Sequence, residues 1–163
     1  MRTLAAAALG LACLLAAPAA GSQDLVRRGE YLAQIMDCQG CHTSGAMAGM
    51  PDPKLHLAGS PLGFGIPDLG IFYPPNLTPD AETGLGSWTE ADIVRAVRTG
   101  IRPDGRQLAP AMPWRSYAAL TDGDAEALAA YLKSLAPVSH KVPPPTGTKD
   151  KPPAPFLGLV VPQ

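Results

Sequence analysis

Cys38-Gln39-Gly40-Cys41-His42 is the stretch on which the reading of this chain turns. A C-x-x-C-H run reads as a c-type haem attachment site. The spacing has a chemical reason, because two thiols must add to the two vinyl groups along one edge of a haem. With two residues between them, both sulfurs lie on one side of a single helical turn. His42 follows at once and can place a neutral imidazole nitrogen on the iron.

Two other chemistries use such a cysteine pair. A thioredoxin-like dithiol needs a βαβ context, and no strand-rich pattern flanks this one. A structural zinc site needs two further ligands. Apart from His42, only His56 and His140 could supply them.

Upstream, Asp24 to Met36 reads as a helix, with Asp24 as its cap and Leu25, Leu32, Ile35 and Met36 at helical spacing. Gly29 interrupts that stripe, at a cost of about 1 kcal/mol against Ala. It is either a plain surface glycine or a place where another helix crosses closely. Before this helix, Met1-Arg2-Thr3 and the apolar run Leu4 to Ala17 form a leader, too short to span a bilayer. Ala17-Pro18-Ala19 offers a cleavage pattern, so residues 1–20 are expected to be a removed export signal and the location periplasmic. Cys13 goes with it. The alternative, a lipidated Cys13, is poorly supported by the preceding Gly10-Leu11-Ala12.

The chain after the leader then holds only Cys38 and Cys41, with 12 basic and 14 acidic side chains once Arg2 is set aside from the 13 and 14 of the whole. That balance gives no footprint for nucleic acid, and no later run is long enough to span a membrane. The 163 residues suit one domain. Gly and Pro number 17 and 19, which argues for a small helical core joined by long loops. A covalent haem would supply apolar surface that so small a chain lacks.

Downstream of the motif, Thr43 to Thr78 reads as one long Gly/Pro-rich loop, plausible when it wraps a large cofactor. Its most apolar part, Ile71 to Asn76, is expected to line the haem edge. Thr89 with Asp92 marks a capped helix start, Ile93, Val94 and Val97 its buried stripe, and Gly100 its stop. Pro103-Asp104-Gly105 is a turn. In Pro110-Ala111-Met112-Pro113, prolines bracket a methionine and fix the backbone around it. An iron with His42 on one face needs a second ligand, and Met112 is far enough along to reach the opposite face. Met47 and Met50 are too close to His42 to do so. Ser116 to Leu120 suggests a helical turn. Thr121 to Asp124 opens a last helix to about Leu135, with Leu128, Tyr131, Leu132 and Leu135 inward. Tyr131 is the expected partner of Gly29.

Five arginines, Arg95, Arg98, Arg102, Arg106 and Arg115, fall in 21 residues against the single acid Asp104. They are a solvated face, partners for haem propionates, or a means of steering an acidic partner. Tyr73, Asn76, Trp88, Arg106 and Trp114 are candidates for pocket or propionate contacts. From residue 139 the chain becomes a Pro-rich tail without a core of its own, ending in Phe156-Leu157-Gly158-Leu159-Val160-Val161. It either packs on its own domain, stays disordered or docks on a partner subunit.

Together these residues resemble a class I c-type cytochrome. Asn76-Leu77-Thr78-Pro79-Asp80, Thr83-Gly84-Leu85-Gly86-Ser87-Trp88, Asp104-Gly105-Arg106, Pro110 to Trp114 and Leu120-Thr121-Asp122 are similar to the haem domains of cytochrome subunits of bacterial periplasmic dehydrogenases of the alcohol, gluconate, nicotinate and aldehyde type. The close resemblance covers about Tyr73 to Val138. It implies an all-α cytochrome c fold over residues 21–138, with three to five helices around one covalent haem c and long loops. It also implies electron transfer without catalysis, with a dehydrogenase as donor and another cytochrome or an oxidase as acceptor. Many such relatives carry three C-x-x-C-H motifs and a membrane anchor, whereas this chain carries one motif. The rival function is a haem enzyme with an open sixth position, acting on peroxide or a sulfur oxyanion.

Overall fold

The structure is a computed structural model and describes residues 20–159. The expected leader through Ala19, with Cys13, and the last four residues lie outside the described part. Helix α1 (Ala20–Ile35) leads directly into the short helix α2 (Cys38–His42). After two 3-10 turns, at Ala46–Ala48 and Pro53–Leu55, come strands β1 (Gly63–Ile66) and β2 (Gly70–Phe72). Helices α3 (Glu90–Thr99), α4 (Trp114–Tyr117) and α5 (Asp122–Ser134) follow, and strand β3 (Phe156–Leu157) closes the described chain.

The helix ends follow local chemistry. At α3, the Thr89 side chain accepts from the Asp92 amide, Asp92 bonds back to the Thr89 amide, and Gly100 stops the helix at φ 74°. Thr121 caps α5 through the Asp124 amide. Leu135 then turns extended, two residues before Pro137. The start of α1 differs from the sequence expectation. Asp24 lies inside the helix, which already runs at Ala20, the first described residue, and pairs with Arg27 instead of capping.

The core forms where α1 crosses α5 and α3 packs beside them. Ala33 of α1 meets Leu128, Ala129 and Leu132 of α5, with Ile93, Val97, Leu85 and Leu57 completing the cluster. Each buried leucine contributes about 2 kcal/mol. Gly29 makes the crossing possible. A Cβ there would lie 1.9 Å from the Ala127 carbonyl oxygen and 2.6 Å from the Tyr131 Cβ. The glycine therefore makes room first for the Ala127 backbone and only second for Tyr131, whose hydroxyl points away to His56 at 3.4 Å. Arg28 of α1 reaches Asp124 of α5 at 2.9 Å across the same crossing.

The segment expected to be one loop contains a hairpin. β1 and β2 pair antiparallel, with Phe64 opposite Phe72. β3 adds to β1 in parallel, and Thr146 bridges to Ile71 on the outer side of β2. The Pro-rich tail thus packs on its own domain and flanks the hairpin on both edges. Long-range backbone pairing of this kind leaves no periodic trace in a sequence dominated by Gly and Pro.

Gly29→Val is expected to destabilise the protein by about 2–3 kcal/mol, because the obstacle is a backbone carbonyl that cannot rotate aside. Urea unfolding should show a lower midpoint with an unchanged slope.

Candidate functional site

Helix α2 is one turn long and presents the two cysteines together. Cys38 is buried and Cys41 half-buried, and both are free thiols. Burial pushes the Cys38 thiol up to about 11, with the Asp37 carboxylate adding to the effect, and raises Cys41 in the same way. A dithiol that attacks disulfides needs the opposite, a lowered thiol pKa. Among the described residues no three His, Cys, Asp or Glu side chains stand close enough to hold a metal ion, so the zinc alternative has no ligand set.

His42 is 7% exposed, and its Nδ1 lies 2.8 Å from the Pro75 carbonyl oxygen. A carbonyl can only accept, so Nδ1 carries the proton and donates it. The other nitrogen, Nε2, then holds a lone pair. Burial lowers the pKa of His42, and the Pro75 carbonyl opposes that shift less strongly. The ring is thus a neutral imidazole with a fixed tautomer and one free donor nitrogen, which is what a metal-binding histidine requires.

Bonds among the His42–Thr43, 57–60 and 74–77 segments hold this arrangement. Gly59 donates to the His42 carbonyl at 2.7 Å, and Thr43 Oγ1 accepts from the Leu57 amide at 3.0 Å. Ser60 donates to the Pro74 carbonyl and Leu77 to the Leu57 carbonyl, at 3.0 and 2.8 Å. Pro74 and Pro75 have locked φ angles and no N–H of their own, so the Pro75 carbonyl is a well-fixed acceptor.

The other candidates occupy distinct positions. Asn76 is 1% exposed and fully engaged. Its Nδ2 donates to Thr83 Oγ1 and the Val138 carbonyl, and its Oδ1 accepts from the Thr78 amide and hydroxyl. It has no donor left for a propionate and serves as a scaffold next to Pro75. The Tyr73 hydroxyl is likewise given to the Ala154 carbonyl at 2.8 Å. Trp88 is half-buried, with the Arg102 guanidinium 5.2 Å from its ring centre. Lys133 fixes the turn before it, donating to the carbonyls of Leu85, Gly86 and Trp88.

Met112 is half-buried in a tight turn. Its amide donates to the Ala109 carbonyl at 3.0 Å, and its carbonyl accepts from the Trp114 amide at 2.8 Å. Trp114 lies against Gly100, where a Cβ would fall 2.6 Å from the indole ring. Among the described residues, Trp114 Nε1 is the one buried side-chain nitrogen or oxygen without a protein partner. It is a donor that fits a group bringing an acceptor of its own, such as a haem carboxylate. Tyr117, one helical turn on, donates to the Met36 carbonyl at 2.9 Å, two residues before Cys38. Its hydroxyl is pushed up to about 12 by burial and then by the charges of Cys38, Cys41 and Asp37. The Met112 loop is therefore tied to the end of α1, beside the cysteine motif. Sequence reasoning missed both Pro75 and Tyr117. Every residue has a carbonyl, and only the Pro-Pro pair marked this one as rigid.

The arginine run is less basic in space than in sequence. Arg95 pairs with Asp92, Arg98 with Asp122 and Arg102 with Asp104. Two of these acids lie outside the run. Arg106 and Arg115 form no ion pair among the described residues, and Arg115 stacks 4.3 Å from the Trp114 ring centre.

A reduced cysteine pair on one turn, a buried neutral histidine directly after it and a buried indole donor suit a covalent haem. Comparison with known proteins agrees. A family model described as cytochrome c oxidase, cbb3-type, subunit III matches residues 24–132. The chain belongs to this family of c-type cytochromes. Membership implies covalently bound haem c, and the match includes the half before Tyr73, where only short motifs had stood out. The chain is 39% identical over 133 residues to the alcohol dehydrogenase (quinone) cytochrome c subunit of Gluconobacter oxydans, covering 77% of this chain and 25% of that protein. It is 38% identical over 145 residues to the gluconate 2-dehydrogenase cytochrome c subunit of Pantoea cypripedii, covering 86% and 30%. It is 41% identical over 116 residues to the fructose dehydrogenase cytochrome subunit of Gluconobacter japonicus, covering 71% and 22%. The chain thus spans less than a third of the length of each of these relatives. Among the described residues no helix is long and apolar enough to cross a membrane.

Asn76→Ala should cost roughly 2–4 kcal/mol, since it removes the partner of the buried Thr78 amide and the nearer donor to the Val138 carbonyl. Thermal unfolding of the haem-loaded protein checks this, with Tyr73→Phe expected to cost only about 1 kcal/mol.

Proposed function

We propose that this chain is a monohaem electron carrier with His42 and Met112 as axial ligands, working in the periplasm. Cys38 and Cys41 would hold the cofactor through two thioether bonds. Bound there, haem c supplies a one-electron Fe(III)/Fe(II) couple, and Met/His ligation raises its potential. The observation that carries the reading is the His42–Pro75 hydrogen bond, which leaves Nε2 unprotonated in a buried site.

The chain's own residues have clear tasks in this reading. Pro75 orients the imidazole and raises its basicity by accepting from Nδ1. The turn from Ala109 to Trp114 limits where the Met112 thioether can go. With both axial positions filled, no site is open for substrate, so the protein passes electrons without catalysing a reaction. The similarity to cytochrome subunits supports a dehydrogenase as donor and a further cytochrome or an oxidase as acceptor.

Optical spectra of the haem-loaded protein test this directly. The wild type should show reduced c-type bands, a thioether-to-ferric charge-transfer band and no response to carbon monoxide. Met112→Ala should lose the charge-transfer band, bind carbon monoxide and drop in potential by on the order of 0.1 V, a fraction of the roughly 0.8 V that axial ligands span. Met47→Ala and Met50→Ala should change none of these. Carbon monoxide binding in the wild type would defeat the Met112 assignment and favour the haem enzyme.

A further inference from the structure

The family match ends at residue 132, yet the chain beyond it makes a specific set of bonds to the segment that carries Pro75. Val138 accepts from Asn76 Nδ2 at 2.7 Å and donates its own amide to Thr78 Oγ1 at 3.1 Å. The His140 amide donates to Thr83 Oγ1 at 3.1 Å, and His140 Nδ1 donates to the Ala58 carbonyl at 2.8 Å. Ala58 directly precedes Gly59, whose amide holds the His42 carbonyl. The Val142 side chain packs on Gly59, where a Cβ would lie 2.6 Å from Val142 Cγ1. Farther along, Thr146 exchanges both backbone hydrogen bonds with Ile71, at 2.8 and 2.9 Å, and Ala154 accepts from the Tyr73 hydroxyl.

These contacts bracket Pro75. Tyr73 is held two residues before it and Asn76 one residue after it. On the opposite side, Ala58 and Gly59 are held next to the His42 backbone. Both partners of the Nδ1–H···O=C bond are therefore fixed by the same stretch of tail. A disordered or partner-docked tail would leave Asn76 Nδ2 and the Ala58 carbonyl short of partners inside the protein, and buried polar groups are rarely left so.

We propose that residues 138–157 form an intramolecular strap whose role is to position the His42 imidazole through Pro75. The proposal rests on His42 being the iron's ligand. The strap holds the Pro75 carbonyl within hydrogen-bond range of Nδ1, which keeps the imidazole a strong donor and its ring orientation single. Loosening the strap weakens that bond, makes the imidazole a poorer donor and moves the midpoint potential upward.

The test uses the full haem-loaded chain with Thr146→Pro, which removes the amide donated to Ile71, and His140→Ala, which removes the bond to Ala58. Lys133→Met is the comparison, since it destabilises the 85–88 turn without touching either partner of the His42 bond. Three quantities are read: the melting temperature, the midpoint potential, and solvent exchange of the His42 Nδ1 proton by NMR. In both strap variants exchange should speed roughly three- to tenfold, the loss of about one hydrogen bond, and the potential should rise. Lys133→Met should lower the melting temperature and leave exchange and potential unchanged. If the strap variants lose melting temperature alone, as Lys133→Met does, the tail is only a stabiliser and the proposal is overturned. A wild-type spectrum lacking a ligated His42 signal would instead overturn the axial assignment, and the strap with it.

Discussion

One hydrogen bond, from His42 Nδ1 to the Pro75 carbonyl, sets the terms for the rest of the molecule. A metal-binding imidazole is useful only when its tautomer is fixed and its free nitrogen is aimed. Donating to a backbone carbonyl does both, but it moves the problem to the carbonyl, which must itself be held. Here the carbonyl belongs to a segment outside every helix. Its position comes from two prolines, from paired bonds to residues 57–60, and from the buried amide of Asn76. The helices set a different part of the geometry. The α1–α5 crossing places the cysteine turn, and Tyr117 ties the Met112 loop to the carbonyl just before it.

How much of this the sequence disclosed depends on how local each signal was. The cysteine turn, the Thr89–Asp92 box, the Gly100 stop and the Thr121 cap are encoded within four or five residues, and all are where local chemistry puts them. The close crossing at Gly29 was legible from a glycine in an apolar stripe. Its contact was only half legible, because the atom that demands the glycine is the Ala127 carbonyl, and a backbone atom has no residue letter. Asp24 misled as a cap because acidic residues also suit an i, i+3 partner, here Arg27. The hairpin was hidden in a Gly/Pro composition that carries no periodicity. The tail was invisible for a deeper reason, because its bonds join residues as far apart as Asn76 and Val138 or Gly63 and Pro155, largely through main-chain atoms.

The arginines teach the complementary point about charge. Counted along the chain, five cations face one acid between residues 95 and 115. In space, Asp92 and Asp122 enter from just outside that window, and three of the five arginines are paired. Exposed pairs of this kind are worth less than about 1 kcal/mol each, so their main effect is to cancel field. What remains is local. Arg106 and Arg115 lie on either side of Met112 in the chain, and Arg115 stacks on Trp114, the residue with the orphaned indole N–H. The uncompensated positive charge is therefore concentrated around the methionine turn.

This divides the labour in a way that a helical cytochrome need not follow. The helical core is small, and it reaches the loops through Leu57 and Leu77, apolar contacts that have no directional preference. Hydrogen bonds supplied from the tail, by its backbone and by the His140 ring, give the direction instead. Because they satisfy buried groups that a helix cannot reach, such as the Asn76 amide and the Ala58 carbonyl, they are not replaceable by a larger core. The tail's own side chains support this. Phe156, Leu157 and Leu159 are exposed, at 43%, 48% and 76%. A segment recruited to bury apolar surface would have turned those residues inward. This one uses its main-chain atoms and the His140 imidazole on the domain, and its contribution is directional: it fixes where a carbonyl points.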